Sequence, residues 1–298
     1  MTKKIIIIII FLTSFLGNVV SADTLSNGMT IPSVHPILFW NPERLSKAQA
    51  WASAHSYLPI TQMDRAPFDY YDILFACVVL GNSTACTNAI SNATTFSDST
   101  TTSPGDDIIR ANGEWVLLTY DWLYSSLTQL QRQTIIDNFN TWMTNQNDVV
   151  WGNQAMPTSN YFSGRMRNDF TLGVATFNEN TIPASSFLNY WNGTLWNSFT
   201  NFVSPTGTLM CTEDGTSRAC GGGGYGMYAQ ESQGQYSRYS LQYYPMMLAS
   251  AKLLGRNLWN ETTAFLSGAL QTIYATKPAK TTSRGLGDVY KRQVPASA

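Results

Sequence analysis

Residues 114–142 read EWVLLTYDWLYSSLTQLQRQTIIDNFNTW, and this stretch decides the fold class. Large apolar residues recur in each half at the spacing of one helix face. They are Trp115, Leu118 and Trp122 in the first half and Ile135, Phe139 and Trp142 in the second. Between the halves, Thr128 and Gln131 form a capping-box pattern, which marks the start of a helix. The short connection predicts two antiparallel helices packed side by side.

Helical spacing continues on both sides of this pair. Further helices are predicted from Asn41-Pro42 onward and over about 68–79, 161–177, 183–195, 228–254 and 257–274, and the helix of the first half above covers about 106–124. Gly255 suits the C-terminal cap of the helix before it. No stretch alternates convincingly with the period-two pattern of a strand. The sequence therefore predicts an all-α fold of antiparallel helix hairpins, closed into a ring or stacked as a solenoid.

Composition excludes several classes of function. Of the 298 residues, 44% are hydrophobic, 13% aromatic and 12% charged, with a net charge of −1. A nucleic-acid partner is not expected, because phosphate binding needs clustered Lys and Arg. The two histidines, His35 and His55, and the four cysteines are too few for a large zinc site, so we expect no metal and no cofactor. Abundant aromatic, amide and hydroxyl side chains fit a sugar ligand.

Both ends of the chain differ from its middle. Residues 1–22 have a basic start, an apolar run of twelve residues (5–16) and small residues for cleavage, which predicts a secretory signal peptide. Residues 283–298 bring charges together abruptly and resemble translated adapter sequence, so we interpret them as a non-native tail. The folded domain is expected over 23–282, exported to the periplasm or the exterior, with no membrane contact after cleavage. The sequence leaves the oligomeric state open.

Export permits disulfides, and the four cysteines fall into two close pairs. Cys77 and Cys86 bracket one polar loop, and Cys211 and Cys220 bracket another. We predict the two local bonds, although three connectivities are formally possible. Their role would be loop closure.

Two clusters of polar residues are candidate sites. Residues 159–168 (SNYFSGRMRN) open a predicted helix and combine amides, a phenol and two guanidiniums, which can hold a carboxylate. The alternative is that Asn160 only caps the helix and the arginines are solvated. In the second cluster, Tyr236, Tyr239 and Tyr243 share a helix face beside Arg238. A nearby cation makes a tyrosine a credible acid or base. The alternative, a core stripe of aromatics, is preferred for Tyr239 and Tyr243.

These segments resemble a known family. Residues 35–40 (HPILFW), 120–124 (YDWLY), 160–164 (NYFSG) and 235–239 (QYSRY) are similar, in order and spacing, to segments of heparinase II/III-like and alginate-lyase-like polysaccharide lyases. The resemblance covers most of residues 32–282. It implies an (α/α) toroid, which we expect to be incomplete at the C-terminus of this chain. Members of the family usually carry an additional C-terminal β-sandwich domain.

The resemblance also implies a reaction. Enzymes of this family cleave uronate-containing polysaccharides by β-elimination, in which a base removes the C5 proton and an acid protonates the leaving oxygen. By position, Asn160 would hold the uronate carboxylate, and Tyr236 would be the acid and a candidate for the base. The supporting and substrate-binding residues would be Tyr161, Gln235, Arg167, Arg238 and Glu231. The pattern departs from the family at Tyr161, where many relatives have a histidine.

Two other functions stay open at this point. An (α/α) glycoside hydrolase would need a pair of carboxylates across a cleft. The pool for such a pair is Asp121, Glu179, Asp214 and Glu231. A non-catalytic glycan-binding protein would suit the absence of a histidine from the site. Asp121 is expected at the surface or in a groove, and His35 and His55 are expected to be structural or surface residues.

Overall fold

The computed structural model describes residues 22–55, 68–96, 107–145, 157, 160–203, 208–213, 216–221, 242–262, 264 and 265. Over these residues the chain is mostly helical, which confirms the predicted predominance of helices. The helices are α1 (Pro42–Ala54), α2 (Phe68–Val78), α3 (Ser83–Thr95), α4 (Asp107–Trp122), α5 (Gln129–Asn145), α6 (Asn160–Thr176), α7 (Thr181–Tyr190), α8 (Asn197–Val203) and α9 (Tyr244–Leu253). A π-helical segment (Trp191–Trp196) joins α7 to α8, and short 3-10 helices lie at Tyr124–Ser126 and Leu258–Asn260.

Helix ends lie where the cap residues predict them. The Asn41 side chain accepts a hydrogen bond from the backbone N–H of Arg44 (2.8 Å) at the start of α1. At the start of α5, Thr128 N–H donates to Gln131 Oε1 (2.8 Å), and Gln131 N–H donates back to Thr128 Oγ1 (3.3 Å). After α9, Gly255 adopts a positive φ of 97°, the left-handed conformation typical of a helix stop.

Two helix predictions are corrected. Helix α3 was not predicted, and only the polar loop at 81–84 was, because the buried face of α3 consists of small residues and its apolar periodicity is weak. That face is Ala85, Ala89 and Ala93. The last helix before Gly255 was predicted to run through Pro245, but α9 begins at Tyr244 with Pro245 in its first turn. Proline fits the first turn of a helix and breaks a helix interior.

Beside the helices there are two short hairpins, which the search for period-two alternation did not predict. Strands β1 (Ala22–Thr24) and β2 (Thr30–Pro32) form one antiparallel hairpin, and β3 (Thr208–Glu213) and β4 (Thr216–Gly221) form another. Their signals are turn residues, not alternation. The first hairpin turns at Asn27-Gly28, where Gly28 has a φ of 83°. In the second, only Asp214-Gly215 lies between the paired residues Glu213 and Thr216. Asn-Gly and Asp-Gly are the typical residues of tight hairpins.

The helices pack in two rows. Helices α2, α4, α6 and α9 contact one another in succession, and α3 and α5, which follow α2 and α4 along the chain, contact each other in a second row. Such alternation is expected when antiparallel hairpins lie side by side. Helix α6 is the most enclosed element of the first row, since every one of its residues except Tyr161 is buried.

One disulfide is present as predicted, between Cys77 at the end of α2 and Cys86 in α3. The register of the second hairpin pairs Cys211 with Arg218 and Cys220 with Leu209, so these two cysteines are not directly opposite each other. The predicted Cys211–Cys220 bond lies outside the described side chains and stays a prediction.

Candidate functional site

Helix α6 carries the described part of the candidate site. Asn160 is its first residue and is only 2% exposed, Tyr161 is half-buried, and Arg167 is 2% exposed. Asn160 and Arg167 are seven positions apart, which places them on the same helix face, roughly 10 Å apart along the axis. The prediction that the arginine belongs to the same site as the amide is therefore compatible with the helix geometry, although Arg167 faces inward.

Arg167 is held by contacts within the protein. Its Nη2 donates to the backbone carbonyl of Arg110 (2.6 Å), and both Nε and Nη2 donate to Oδ1 of Asn168 (3.1 and 2.9 Å). Its Nη1 lies 3.6 Å from Oε2 of Glu114. Its guanidinium carbon lies 4.5 Å from the centre of the Tyr243 ring. These contacts suit a supporting group that orders its neighbours better than a group that reaches out to a ligand.

Glu114 is a buried carboxyl that the sequence analysis did not select. It is 4% exposed on α4, and the hydroxyl of Tyr71 on α2 donates to its Oε2 at 2.6 Å. Among the residues that the structure describes, its buried Oε1 has no hydrogen-bond partner. Burial raises the pKa of Glu114, while Arg167 and the Tyr71 hydrogen bond act in the opposite direction. Burial, together with the negative charge of Glu114, also raises the pKa of Tyr71, which keeps its hydroxyl protonated as a donor.

Tyr161 is the partly exposed residue next to the buried contacts of Arg167 and Glu114. The guanidinium of Arg110 lies over the Tyr161 ring, 4.3 Å from its centre. Arg110 comes this close to α6 because Gly164 has no side chain: a Cβ there would lie 2.4 Å from Cγ of Arg110. Gly164 thus allows α4 and α6 to lie close together next to Tyr161, the one residue of α6 that is not buried.

The C-terminal segment meets α6 on the same side. The hydroxyls of Ser163 and Tyr244 are hydrogen-bonded at 2.8 Å, and the buried ring of Tyr243 covers Arg167. The expectation that Tyr243 belongs to the core is confirmed by its burial. The remaining predicted site residues lie outside the described residues. They are Glu231, Gln235, Tyr236 and Arg238.

Asp121 corrects a prediction, because it is fully buried and not at the surface or in a groove. Its carboxylate accepts the backbone N–H groups of Ile37 (2.9 and 3.0 Å) and Leu38 (2.8 Å). It also contacts Nδ1 of His35 at 2.6 Å, and the His35 ring stacks on the ring of Tyr124, with the ring centres 4.0 Å apart. The Asp121 carboxylate is therefore held by structural contacts within the protein.

Glu179 is also engaged in a network. It accepts hydrogen bonds from the hydroxyls of Tyr120 and Tyr124, both at 2.8 Å, and from Nε of Arg132 at 3.0 and 3.1 Å. Partial burial pushes the pKa of Glu179 upward, but these hydrogen bonds and the Arg132 charge outweigh it, and the net pKa is lowered. Two of the four carboxylates considered for a glycoside hydrolase, Asp121 and Glu179, lie in the described part of the chain. Both make structural contacts within the protein. Asp214 and Glu231 lie outside the described residues.

Sequence reasoning missed Glu114 and Tyr71 because their partners are distant in sequence. A signal was nevertheless present: Glu114 is followed directly by the apolar run 115–118. A carboxylate bordering an apolar helix face is a candidate for burial, and buried carboxylates need partners.

Comparison with known proteins assigns no family: no protein-family model matches the chain, and no curated protein matches it. None of the helices in the described ranges has both the length and the apolar character that a membrane crossing requires. Within the same ranges, no three or more His, Cys, Asp or Glu side chains group in a way that would hold a metal ion.

Proposed function

We propose that the chain is a polysaccharide lyase, built on an (α/α) toroid, that cleaves uronate-containing polysaccharide by β-elimination. The two rows of helices support a toroid, because an (α/α) ring alternates inner and outer helices in this way. In this proposal α6 is an inner helix, and its N-terminal half faces the substrate groove through Tyr161.

One observation carries the proposal. The two segments that resemble the lyase site are 75 residues apart in sequence at Asn160 and Gln235. The C-terminal one leads into Tyr243 and Tyr244, which contact Arg167 and Ser163 on α6. Tyr236 precedes Tyr243 by seven residues, so a short stretch of chain links it to the Asn160 helix. Because seven residues of extended chain reach at most about 25 Å, this connection allows Tyr236 to lie near Asn160, which a shared site requires.

The chemistry assigns a role to each group. The Asn160 amide holds the uronate carboxylate and stabilises the negative charge that develops there. Tyr236, as the phenolate, removes the C5 proton and the C4–O bond breaks, leaving a double bond between C4 and C5. The phenol so formed then protonates the leaving oxygen, which restores the phenolate. Arg167 supports this arrangement from inside the protein.

The remaining residues bind the polymer. Tyr161 stands where many members of the lyase family have a histidine. We therefore assign the Tyr161 ring to contact with the sugar and the role of the base to Tyr236. Gln235, Arg238 and Glu231 complete the groove. We further propose an oxidising compartment, the periplasm or the exterior, which the Cys77–Cys86 bond supports.

The test uses the wild-type chain and the Tyr236→Phe variant on a panel of uronate polymers. Elimination leaves an unsaturated product that absorbs in the ultraviolet, and hydrolysis does not. We expect the wild type to form this product and Tyr236→Phe to lose it by about 100-fold or more, as for the loss of an acid–base group.

Tyr124→Phe is the matched control, because that hydroxyl bonds Glu179 elsewhere in the fold; it should keep its activity. Full activity of Tyr236→Phe would refute the assignment. New reducing ends without ultraviolet absorbance would indicate a hydrolase, and binding without any product would indicate a glycan-binding protein.

A further inference from the structure

A pocket lies between the segment that leads into α1 and the end of α9. Its volume is about 540 Å³, which is within the usual range for small-molecule sites. Its walls are mostly apolar and include Pro36, Trp40, Pro42 and Leu254. Among its lining residues, all in the described part of the chain, there is no lysine, arginine, aspartate or glutamate. The size and the lining therefore suit a small, uncharged molecule with a large apolar part.

The pocket is separate from the candidate lyase site. Helices α4 and α6 run in the same direction. Near their starts Arg110 lies against Gly164, and near their ends the Tyr120 hydroxyl donates to Glu179. The pocket is at their ends, because its His35 contacts the last turn of α4, whereas the lyase site begins at the first residue of α6. The 17 residues of α6 span about 25 Å, so the two sites lie at opposite ends of this helix.

The His35 ring is held in one orientation beside the pocket. Its side chain is 5% exposed, and its Nδ1 lies 2.6 Å from Oδ1 of Asp121. The ring also stacks on Tyr124, with the ring centres 4.0 Å apart and an angle of 6° between the planes. Because a carboxylate accepts hydrogen bonds and donates none, Nδ1 carries a proton. This leaves Nε2 as the nitrogen that can bond a molecule in the pocket.

Two ring nitrogens of the pocket residues lack a hydrogen bond within the described part of the chain. They are Nε2 of His35 and the buried Nε1 of Trp40. Buried polar groups are nearly always hydrogen-bonded, so an occupant that carries an oxygen is expected. A hydroxyl oxygen can donate to Nε2 and brings no charge. A carboxylate would add a negative charge close to the buried Asp121, with no lysine or arginine in the lining.

We propose that this pocket binds a phenol with an apolar substituent. Its hydroxyl donates a hydrogen bond to Nε2 of His35, and its ring packs against the proline and tryptophan side chains of the wall. A phenol is uncharged at neutral pH, since the usual pKa of a phenolic hydroxyl is about 10. Its single hydroxyl matches a lining with few polar groups, whereas a sugar ring would bring several hydroxyls that need partners. This binding site does not depend on the proposed lyase activity.

The experiment titrates the full chain with para-ethylphenol by isothermal titration calorimetry. We expect a dissociation constant below about 1 mM for the wild type. The methyl ether of the probe, para-ethylanisole, keeps the ring but cannot donate a hydrogen bond. It should bind at least about fivefold more weakly, because Nε2 of His35 is then left without a donor.

Two histidine variants locate the site. His35→Asn places an amide nitrogen where Nδ1 lies, so it keeps a donor for Asp121 and removes Nε2. It should bind para-ethylphenol at least about fivefold more weakly than the wild type. His55→Asn is the matched control, because His55 is exposed, does not line the pocket and bonds the Trp51 carbonyl through its Nδ1. It should bind the probe as the wild type does.

Several results would overturn the proposal. They are the absence of binding by para-ethylphenol, equal affinity for the phenol and its methyl ether, unchanged affinity in His35→Asn, and an equal loss in His55→Asn. Tighter binding of para-ethylbenzoate or of glucuronate would also overturn it, because the pocket would then be an acid or a sugar site. Should circular dichroism show that His35→Asn is unfolded, the comparison of the phenol with its methyl ether decides, since it uses the wild type alone.

Discussion

Asp169 of α6 is a buried carboxyl whose protonation is coupled to folding. It is fully buried, and Arg165 is its charged partner at 3.5 Å. Burial raises the pKa of Asp169 from 3.8 to about 7, although the charge of Arg165 acts to lower it. Near neutral pH the folded chain therefore retains a proton that the unfolded chain has lost.

The sign of the resulting pH dependence follows from this difference. Where the folded state binds more protons than the unfolded state, stability falls as pH rises. The contribution of Asp169 is thus fully present below about pH 4 and is lost as the pH rises to about 7. We expect the free energy of unfolding of the wild type to fall across this range by about 2–4 kcal/mol more than that of Asp169→Asn.

Urea unfolding of both proteins at about pH 4.5, 6 and 7.5 measures this slope. The comparison with Asp169→Asn removes the contributions of the other titrating groups, among them Glu114 and Glu179. Parallel pH dependences in the two proteins would contradict the raised pKa of Asp169. The absolute stability of the variant is not the readout, because removing the carboxylate also removes the ion pair between Asp169 and Arg165.

Helix α6 packs against α7 so closely that one position accepts only glycine. A Cβ at Gly173 would lie 2.5 Å from Cγ and 2.9 Å from Cδ2 of Leu188 on α7. Gly173→Ala is therefore expected to lower the free energy of unfolding by about 1–3 kcal/mol, the usual cost of overpacking a core. Chemical denaturation measures the change.

Gly193 in the π-helical segment is the matched control. A Cβ there would meet no atom within 4 Å, so Gly193→Ala should keep or raise stability, by up to about 1 kcal/mol, because alanine favours helix. If Gly173→Ala were as stable as the wild type, this would contradict the close packing of α6 against α7 at Gly173.

The individual helices and strands differ in how clearly the local sequence predicts them. Helices with large apolar residues, such as α4 and α5, could be read from spacing, and their caps from single residues. The hairpin at Asn27-Gly28 was equally readable from its turn, but a search for alternation did not find it, since strands of three residues are too short to show a period. Helix α3 was hidden because alanine on its buried face gives little contrast with its neighbours.

Across the whole molecule, the N-terminal segment 22–41 joins the beginning of the chain to its distant parts. Thr30 N–H donates to the carbonyl of Leu254 (2.8 Å), and Phe39 N–H donates to Oγ of Ser250 (2.9 Å), both at α9. The same segment is held on α4 by Asp121. The loss of that carboxylate should therefore loosen contacts that span more than 200 residues.

We expect Asp121→Ala to lower the free energy of unfolding by about 3–5 kcal/mol, because it leaves the buried N–H groups of Ile37 and Leu38 unpaired. Chemical denaturation measures the loss, and limited proteolysis should cut segment 22–41 faster. Glu43→Ala, which removes a solvent-exposed ion pair with Lys47, should leave the unfolding midpoint unchanged. A loss as small as that of the control would contradict the anchoring role of Asp121.

In the candidate site, as in the fold, the features that depend on neighbouring residues could be predicted, and those that depend on distant residues could not. Asn160, Tyr161 and Arg167 were selected from one helix start, because amides and guanidiniums can hold a carboxylate and because the segment resembles the lyase site. Glu114 and Tyr71 were not selected, because each becomes meaningful only when α2 and α4 bring it to Arg167. Asp121 was misjudged for the same reason, since its partners are backbone groups 83 or more residues away.

The amino-acid sequence by itself determined the helices with large apolar faces, their caps and the Cys77–Cys86 bond, because each depends on residues within a few turns of one another. Tertiary structure alone decided which charged groups are buried and with whom they pair. Burial is a property of the packed rows: the low dielectric that makes Glu114, Asp121 and Asp169 costly, and their partners necessary, exists only after distant segments have come together.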